Sequence, residues 1–155
     1  MQVLDLPDHG VKTKHGADGT KVFDPIRRRW LDLTPEEWVR QHVLNLLVHD
    51  IGCPPSLVAV EAPLKLHGLP KRADIVVYDR RGGPVLLVEC KAPEVPLNQA
   101  VLEQAARYNI TLKVPYVMVT NGLRHYGCTI DHQRGTVAFL PTLPGFAVLA
   151  PGCSP

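Results

Sequence analysis

Two uninterrupted apolar runs, Ile75-Val76-Val77-Tyr78 and Val85-Leu86-Leu87-Val88, lie on either side of Arg80-Arg81-Gly82-Gly83. A strand that is apolar at every position needs cover on both faces. Each run therefore reads as a mid-sheet strand, and the pair as a hairpin closed by a four-residue turn. If Asp79 pairs with Pro84, Asp74 falls opposite Glu89. Side chains alternate along a strand, so Glu89 and Lys91 share one face and Asp74, across the ladder, points to that same face. Directly opposed carboxylates repel, and the arrangement is disfavoured unless a cation lies between them.

The rest of the chain supplies what would cover such a hairpin. Thr34-Pro35-Glu36-Glu37 is a strong helix start: Thr can cap, Pro fits the first turn, and the acids suit the positive end of the helix dipole. This helix is expected to run to His49 or Asp50 with Val39, Val43, Leu46 and Leu47 inward, closed by Gly52 and Pro54-Pro55. A second helix over 97–108 carries Val101, Leu102, Ala105 and Tyr108 at helical spacing. Strands are expected at 57–61, 64–67, 73–79, 85–90, 116–120, 123–128 and, as an edge, 136–140, with a short extended pair over 22–25 and 30–33. That order is an α/β mixed sheet flanked by helices. Residues 1–20 lack an apolar period and read as a flexible arm, 21–140 as the domain, and 141–155 as a Pro- and Gly-rich loose tail.

A hard divalent cation binds through one or two carboxylates, waters and phosphate oxygens, so Asp74 and Glu89 at a sheet end have the right chemistry for Mg²⁺. Lys91 then admits two readings. It bridges the acids as a salt bridge, or it orients or deprotonates a metal-bound water and balances charge in the transition state of phosphodiester hydrolysis.

These residues resemble the PD-(D/E)xK nucleases and, among them, the N-terminal nuclease domain of type I restriction enzyme R proteins. The resemblance is carried by Arg72-Ala73-Asp74-Ile75-Val76-Val77, Glu89-Cys90-Lys91-Ala92, Gln104-Ala105-Ala106-Arg107-Tyr108, the helix start Glu36-Glu37-Trp38-Val39-Arg40-Gln41, and Val119-Thr120-Asn121-Gly122. It covers roughly Val22 to Leu140, and Ala73 stands where the motif's name has Pro. The resemblance implies a restriction-endonuclease-like fold and a Mg²⁺- or Mn²⁺-dependent deoxyribonuclease. Asp74, Glu89 and the backbone carbonyl of Cys90 are the implied metal ligands, and Lys91 is the implied catalytic lysine. The family's first-helix acid maps to Glu36 or Glu37, and helical spacing to Val39, Val43 and Leu47 favours Glu36. Gln104 and Tyr108, one turn apart, match the Q-x-x-x-Y element, where an amide and a phenol could hold a phosphate or a carboxylate; the other reading makes Tyr108 a core aromatic. Lys71 and Arg72 could grip the phosphate next to the scissile one, or be loop charges.

Other classes fall away. With 45% hydrophobic and 21% charged residues the chain is globular, and 155 residues leave little room for a second core. A formal charge of +2 is too small for wrapping nucleic acid by bulk charge, so phosphate binding has to be local. No apolar run approaches the ~20 residues a bilayer needs, and Met1 to Asp8 has no leader pattern, so a cytoplasmic protein with no membrane partner is expected. Four scattered cysteines predict no disulfide, His125, Cys128 and His132 make a poor zinc set, and no nucleotide-binding Gly-Lys-Ser/Thr loop occurs. DNA is the implied partner. One site of this type cuts one strand, so duplex cleavage calls for a homodimer or a helicase, restriction or repair partner. The competing expectation is a partner-dependent or catalytically silent nucleic-acid-binding subunit that keeps the fold.

Overall fold

The computed structural model describes residues 1–66, 69–110 and 112–152, with backbone alone at 64–66, 69–71, 108 and 110. The chain begins with a small antiparallel sheet, β1 (Thr13–Gly16), β2 (Gly19–Asp24) and β3 (Arg29–Asp32). Residues 1–20 are therefore not a loose arm: β1 pairs along β2, Leu4 sits in the core, and the Asp5 N–H donates to the Gly122 carbonyl at 2.8 Å. A solvent-facing ribbon needs no apolar period, which is why its sequence looks featureless.

Helix α1 (Pro35–Asn45) starts where expected, with Thr34 Oγ1 accepting from the Glu37 N–H at 3.0 Å. It runs on as a π-helical turn over Leu46–Ile51 and ends at Gly52, whose φ of 85° lets the chain turn back. Val39, Val43 and Leu47 are fully buried as expected; Leu44 takes the inward place expected of Leu46, which is only half-buried. The π turn widens the helix and rotates its last residues.

The main sheet follows: β4 (Val58–Leu66), β5 (Leu69–Tyr78) and β6 (Pro84–Cys90), then α2 (Gln99–Ile110), then β7 (Tyr116–Thr120), β8 (His125–Asp131) and β9 (Thr136–Leu140). The six strands lie in chain order. All pairs are antiparallel except β6 with β7, the pair that the α2 crossover joins. The segments 57–61 and 64–67 thus form one strand as far as Leu66, and His67 lies outside the described residues.

Val77, Leu86 and Val88 pack with α1 in one layer, while Val76 and Leu87 pack with α2 in the other. Both faces are covered, which accounts for the unbroken apolar runs. The mixed α/β class read from the sequence is the observed one. The last helix, α3 (Phe146–Leu149), corrects the loose tail: Phe146 and Leu149, three residues apart on one face, are buried in the α1 layer despite the surrounding Pro and Gly. Cys53, Cys90 and Cys128 are buried free thiols. No helix among the described residues is long and apolar enough to cross a membrane.

Candidate active site

The register of β5 on β6 is the element that places the acids. Ile75 pairs with Val88, Val76 with Leu87 and Val77 with Leu86, the alignment that sets Asp74 beside Glu89. At the turn the expected Asp79–Pro84 pair is replaced by Tyr78–Pro84, and a bulge after Val77 absorbs the difference. Asp79 is drawn off the ladder because its Oδ1 accepts from the N–H groups of Arg81 and Gly83, both at 2.9 Å.

At the other end of β5 the alternation of faces fails. Ala73 packs with α2 and Ile75 with α1, although they are two apart; on β4, Ala62 and Val60 do the same. The residues between them are Asp74 and Glu61, and Glu61 has a φ of 53°, unusual for a residue with a Cβ. This kink leaves Asp74 between the two layers. Its Oδ2 accepts from the Cys90 N–H at 2.7 Å, and its Oδ1 lies 3.5 Å from Arg40 Nη2 on α1. Cys90 itself is buried in the α1 layer.

Glu89 and Lys91 flank Cys90, and Lys91 Nζ donates to Glu89 Oε1 at 3.1 Å. Burial raises the Asp74 carboxyl above its ordinary value; the Cys90 N–H and Arg40 oppose this, and the charges of Glu36 and Glu89 add to it. The Lys91 ammonium is held above its ordinary value by its bond to Glu89, with Asp74 and Glu36 helping. Asp74, Glu89, Lys91 and Glu36 are therefore within electrostatic reach of one another.

The two first-turn acids of α1 have separate fates. Glu36 is half-exposed and meets Arg40 Nη2 at 2.9 Å. Glu37 is buried and held by Arg27, Arg40 and Gln41 at 3.2–3.3 Å. Arg72 is exposed at the rim, 3.9 Å from Glu61, and the Lys71 side chain lies outside the described residues. On α2, Gln104 is exposed, and the Tyr108 side chain also lies outside the described residues. A pocket on that side is lined instead by Arg72, Asp74, Leu87, Glu89, Ala105 and Asn109. His125 is bonded to Thr120 and the Asp5 carbonyl, His132 to the Val114 carbonyl, and Cys128 is in the core, so these three serve separate packing roles.

Sequence reasoning did not single out the centre of the cluster. Arg40 is almost fully buried, its Nη1 within 3.3 Å of Glu37 and 3.2 Å of Glu61, and its Nη2 against Glu36 and Asp74. Burial opposes the Arg40 charge, but Glu37, Asp74 and Glu61 outweigh it and hold the proton more tightly than usual. Arg27 continues the network, meeting Asp24 at 2.8 Å, Glu37 at 3.2 Å and Glu61 at 3.4 Å. The one available signal was the Glu36/Arg40 spacing of four on a helix.

These ion pairs join five carboxylates (Asp24, Glu36, Glu37, Glu61 and Asp74) to three guanidiniums (Arg27, Arg40 and Arg72) among the described residues. Lys91 and Glu89 balance each other, so the cluster is short of two positive charges. Hard carboxylate oxygens with that deficit suit one divalent cation. The donors available to it are Asp74, Glu89, the Cys90 carbonyl and Glu36, since Glu37 is committed to its arginines. Among the described residues no three metal-binding groups are yet drawn together; Arg40 and Lys91 stand among the acids.

Comparison with known proteins adds a family. The family model for the type I restriction enzyme R protein N terminus matches residues 35–144. A solved fragment structure described as an HsdR subunit of a type I restriction enzyme, from Vibrio vulnificus YJ016, superposes with a TM-score of 0.52 at 23% identity. The match covers 73% of this chain and 24% of that one, so the chain spans about a quarter of the length of the solved fragment and shares its fold. No curated protein matches the chain.

Proposed function

This chain belongs to the type I restriction enzyme R protein N-terminus family, and from that premise we propose that it is a metal-dependent deoxyribonuclease that hydrolyses DNA phosphodiester bonds. The observation that carries the reading is the charge deficit around Asp74: converging acids, a lysine beside them, and, among the described residues, fewer cations than the cluster has carboxylates. A bound Mg²⁺ or Mn²⁺ would supply Lewis-acid activation of water and of the scissile phosphate. Asp74, aimed by the Cys90 N–H, is the principal ligand, with Glu89, the Cys90 carbonyl and Glu36 completing the donor set.

Lys91 stays protonated beside Glu89, so its role is to stabilise negative charge developing on the phosphate rather than to remove a proton. Arg72, exposed next to the pocket, is placed to hold a neighbouring phosphate. Duplex cleavage then calls for a second copy of the site or a partner that presents the other strand.

The test is cleavage of linear duplex, single-stranded, flapped and four-way-junction DNA with Mg²⁺ or Mn²⁺, with Asp74→Ala and Lys91→Ala alongside. Metal-dependent cutting lost in both variants is the expected result. DNA binding without cutting of any substrate, with cation affinity unchanged in Asp74→Ala, would replace the enzyme with a partner-dependent binding subunit.

A further inference from the structure

Among the described residues the acidic cleft is short of two positive charges, yet its middle is occupied. The Arg40 guanidinium reaches in from α1 with Nη2 at 2.9 Å from Glu36 and 3.5 Å from Asp74, and with Nη1 at 3.2 Å from Glu61. A guanidinium cannot give up its charge in a protein, so this is a permanent cation on a tether. Its hold is uneven. The Glu36 contact is a short charge-assisted bond, the Asp74 contact is at the outer limit of one, and the buried Nε has no hydrogen-bond partner among the described residues. Nothing at Nε locks the plane of the group, and the oxygen it grips least is the one most needed by an incoming cation.

We propose that Arg40 is a resident counter-ion that competes with the divalent cation for Glu36 and Asp74. It keeps the acids together while no cation is present and sets the affinity with which one binds. This rests on the metal-dependent reading above and adds to it a positioning residue on the first helix. Carboxylates gathered in a low-dielectric site repel, so the neutralisation that Arg40 supplies to Glu36, Glu61 and Asp74 favours their convergence. The same neutralisation weakens the pull on any other cation. A divalent ion that binds to Asp74 and Glu36 takes over both oxygens, and the Nη2 arm must release them, retaining Glu37 and Glu61 through Nη1.

A purely structural arginine makes a different demand: its loss would disorder the acids and weaken cation binding. The two accounts differ in sign, and calorimetric titration of Mn²⁺ separates them. The proteins compared are the parent, Arg40→Met, Arg40→Lys and Asp74→Asn. Arg40→Met, close in length and uncharged, is expected to bind Mn²⁺ about tenfold more tightly or better. Arg40→Lys keeps the charge and is expected to stay near the parent. Arg40→Met should also melt below the parent without Mn²⁺ and recover most of that difference when saturated with it.

If Arg40→Met does not fold, Arg40→Gln, which still donates to Glu37 or Glu61, carries the same expectation. A folded, uncharged variant that binds Mn²⁺ no more tightly than the parent overturns the proposal while Asp74→Asn, by losing Mn²⁺, leaves the metal site standing. Mn²⁺ binding that is absent from the parent, or undiminished in Asp74→Asn, overturns the metal-dependent reading and this inference together.

Discussion

The backbone N–H of Cys90 donates to Asp74 Oδ2 at 2.7 Å, so the orientation of the central acid is fixed by the strand that carries Glu89 and Lys91. Burial raises the Asp74 carboxyl, and Glu36 and Glu89 raise it further against the pull of Cys90 and Arg40. A carboxyl with a raised folded value favours the native state below its ordinary value of 3.8 and loses that contribution as the pH climbs through the folded value. Asp74→Asn is permanently neutral and still accepts from Cys90. It should melt above the parent at neutral pH, with the gap closing in acid below the ordinary carboxylate value, while cleavage is abolished. Melting curves over an acid-to-neutral series check this; a variant that melts lower at neutral pH would show the Asp74 charge to be favourable where it stands.

Lys91 separates structure from chemistry, because its side chain is about a third exposed and its partner Glu89 is equally open to solvent. An ion pair of that kind contributes at most about 1 kcal/mol to stability. If the ammonium stabilises charge on the phosphate, Lys91→Ala should lower the single-turnover cleavage rate by about 10²–10³-fold with little change in melting temperature. Lys91→Arg should recover part of the rate. Cleavage that survives Lys91→Ala would reduce the residue to a salt bridge.

What could be read in advance depended on whether a local rule was enough. The β5–β6 register was legible because strands covered on both faces leave unbroken apolar runs, and the short Gly-containing turn leaves little slack. The start of α1 was legible because Thr34, Pro35, Glu36 and Glu37 each satisfy a separate requirement of a helix N-terminus. Arg40 was not, because on a helix of mixed polarity one arginine looks like any other. What turns it into the centre of the cluster is the kink at Glu61 and Asp74, carried by a positive φ on a residue with a Cβ. Strict alternation, assumed from the sequence, would have put Asp74 wholly on one face. The β1 strand and the Phe146–Leu149 turn were missed for a related reason: both owe their order to partners distant in the chain.

Asp24 anchors the far end of the ion-pair network that runs through Arg27 and Glu37 to Arg40. It is fully buried, and it accepts from the N–H groups of Ile26 and Arg27, from Arg27 Nε and from Gln41 Nε2 at 2.8–3.0 Å. Burial opposes its charge, but the bonds from Arg27 and Gln41 win and hold its carboxyl below 3.8. That contribution is present above the ordinary value and is lost as the pH falls through the depressed one. Asp24→Ala removes a fully buried acceptor from Arg27, Gln41 and two backbone N–H groups and should cost about 3 kcal/mol at neutral pH. Denaturant titrations should show the deficit shrinking in acid; a constant deficit at all pH values would assign it to packing alone.

The Thr120-Asn121-Gly122 turn looks like a family signature, and its geometry gives it a concrete task. The Lys91 N–H donates to the Thr120 carbonyl at 2.8 Å, and Asn121 Nδ2 donates to the Val95 carbonyl at 2.8 Å, so the turn grips the chain on both sides of the segment that leaves Lys91. Asn121 Oδ1 also accepts from the Leu123 and Arg124 N–H groups at 3.0 and 2.8 Å. Asn121→Ala strands several buried groups and should cost about 1–3 kcal/mol. It should also loosen Lys91, so hydrogen exchange at the Lys91 and Val95 amides should quicken and cleavage should fall beyond what the lost stability explains. Gly122→Ala is the contrast. Its φ of 86° is strained for alanine, and the new Cβ would lie 2.9 Å from Leu4 Cδ2 and 3.0 Å from Val39 Cγ2. That clash falls on the docking of Leu4 and on α1 rather than on the bonds from Asn121, so Gly122→Ala should lower the melting temperature while the Lys91 amide keeps its protection under native conditions. Equal acceleration at Lys91 in both variants would mean that the turn acts through stability alone.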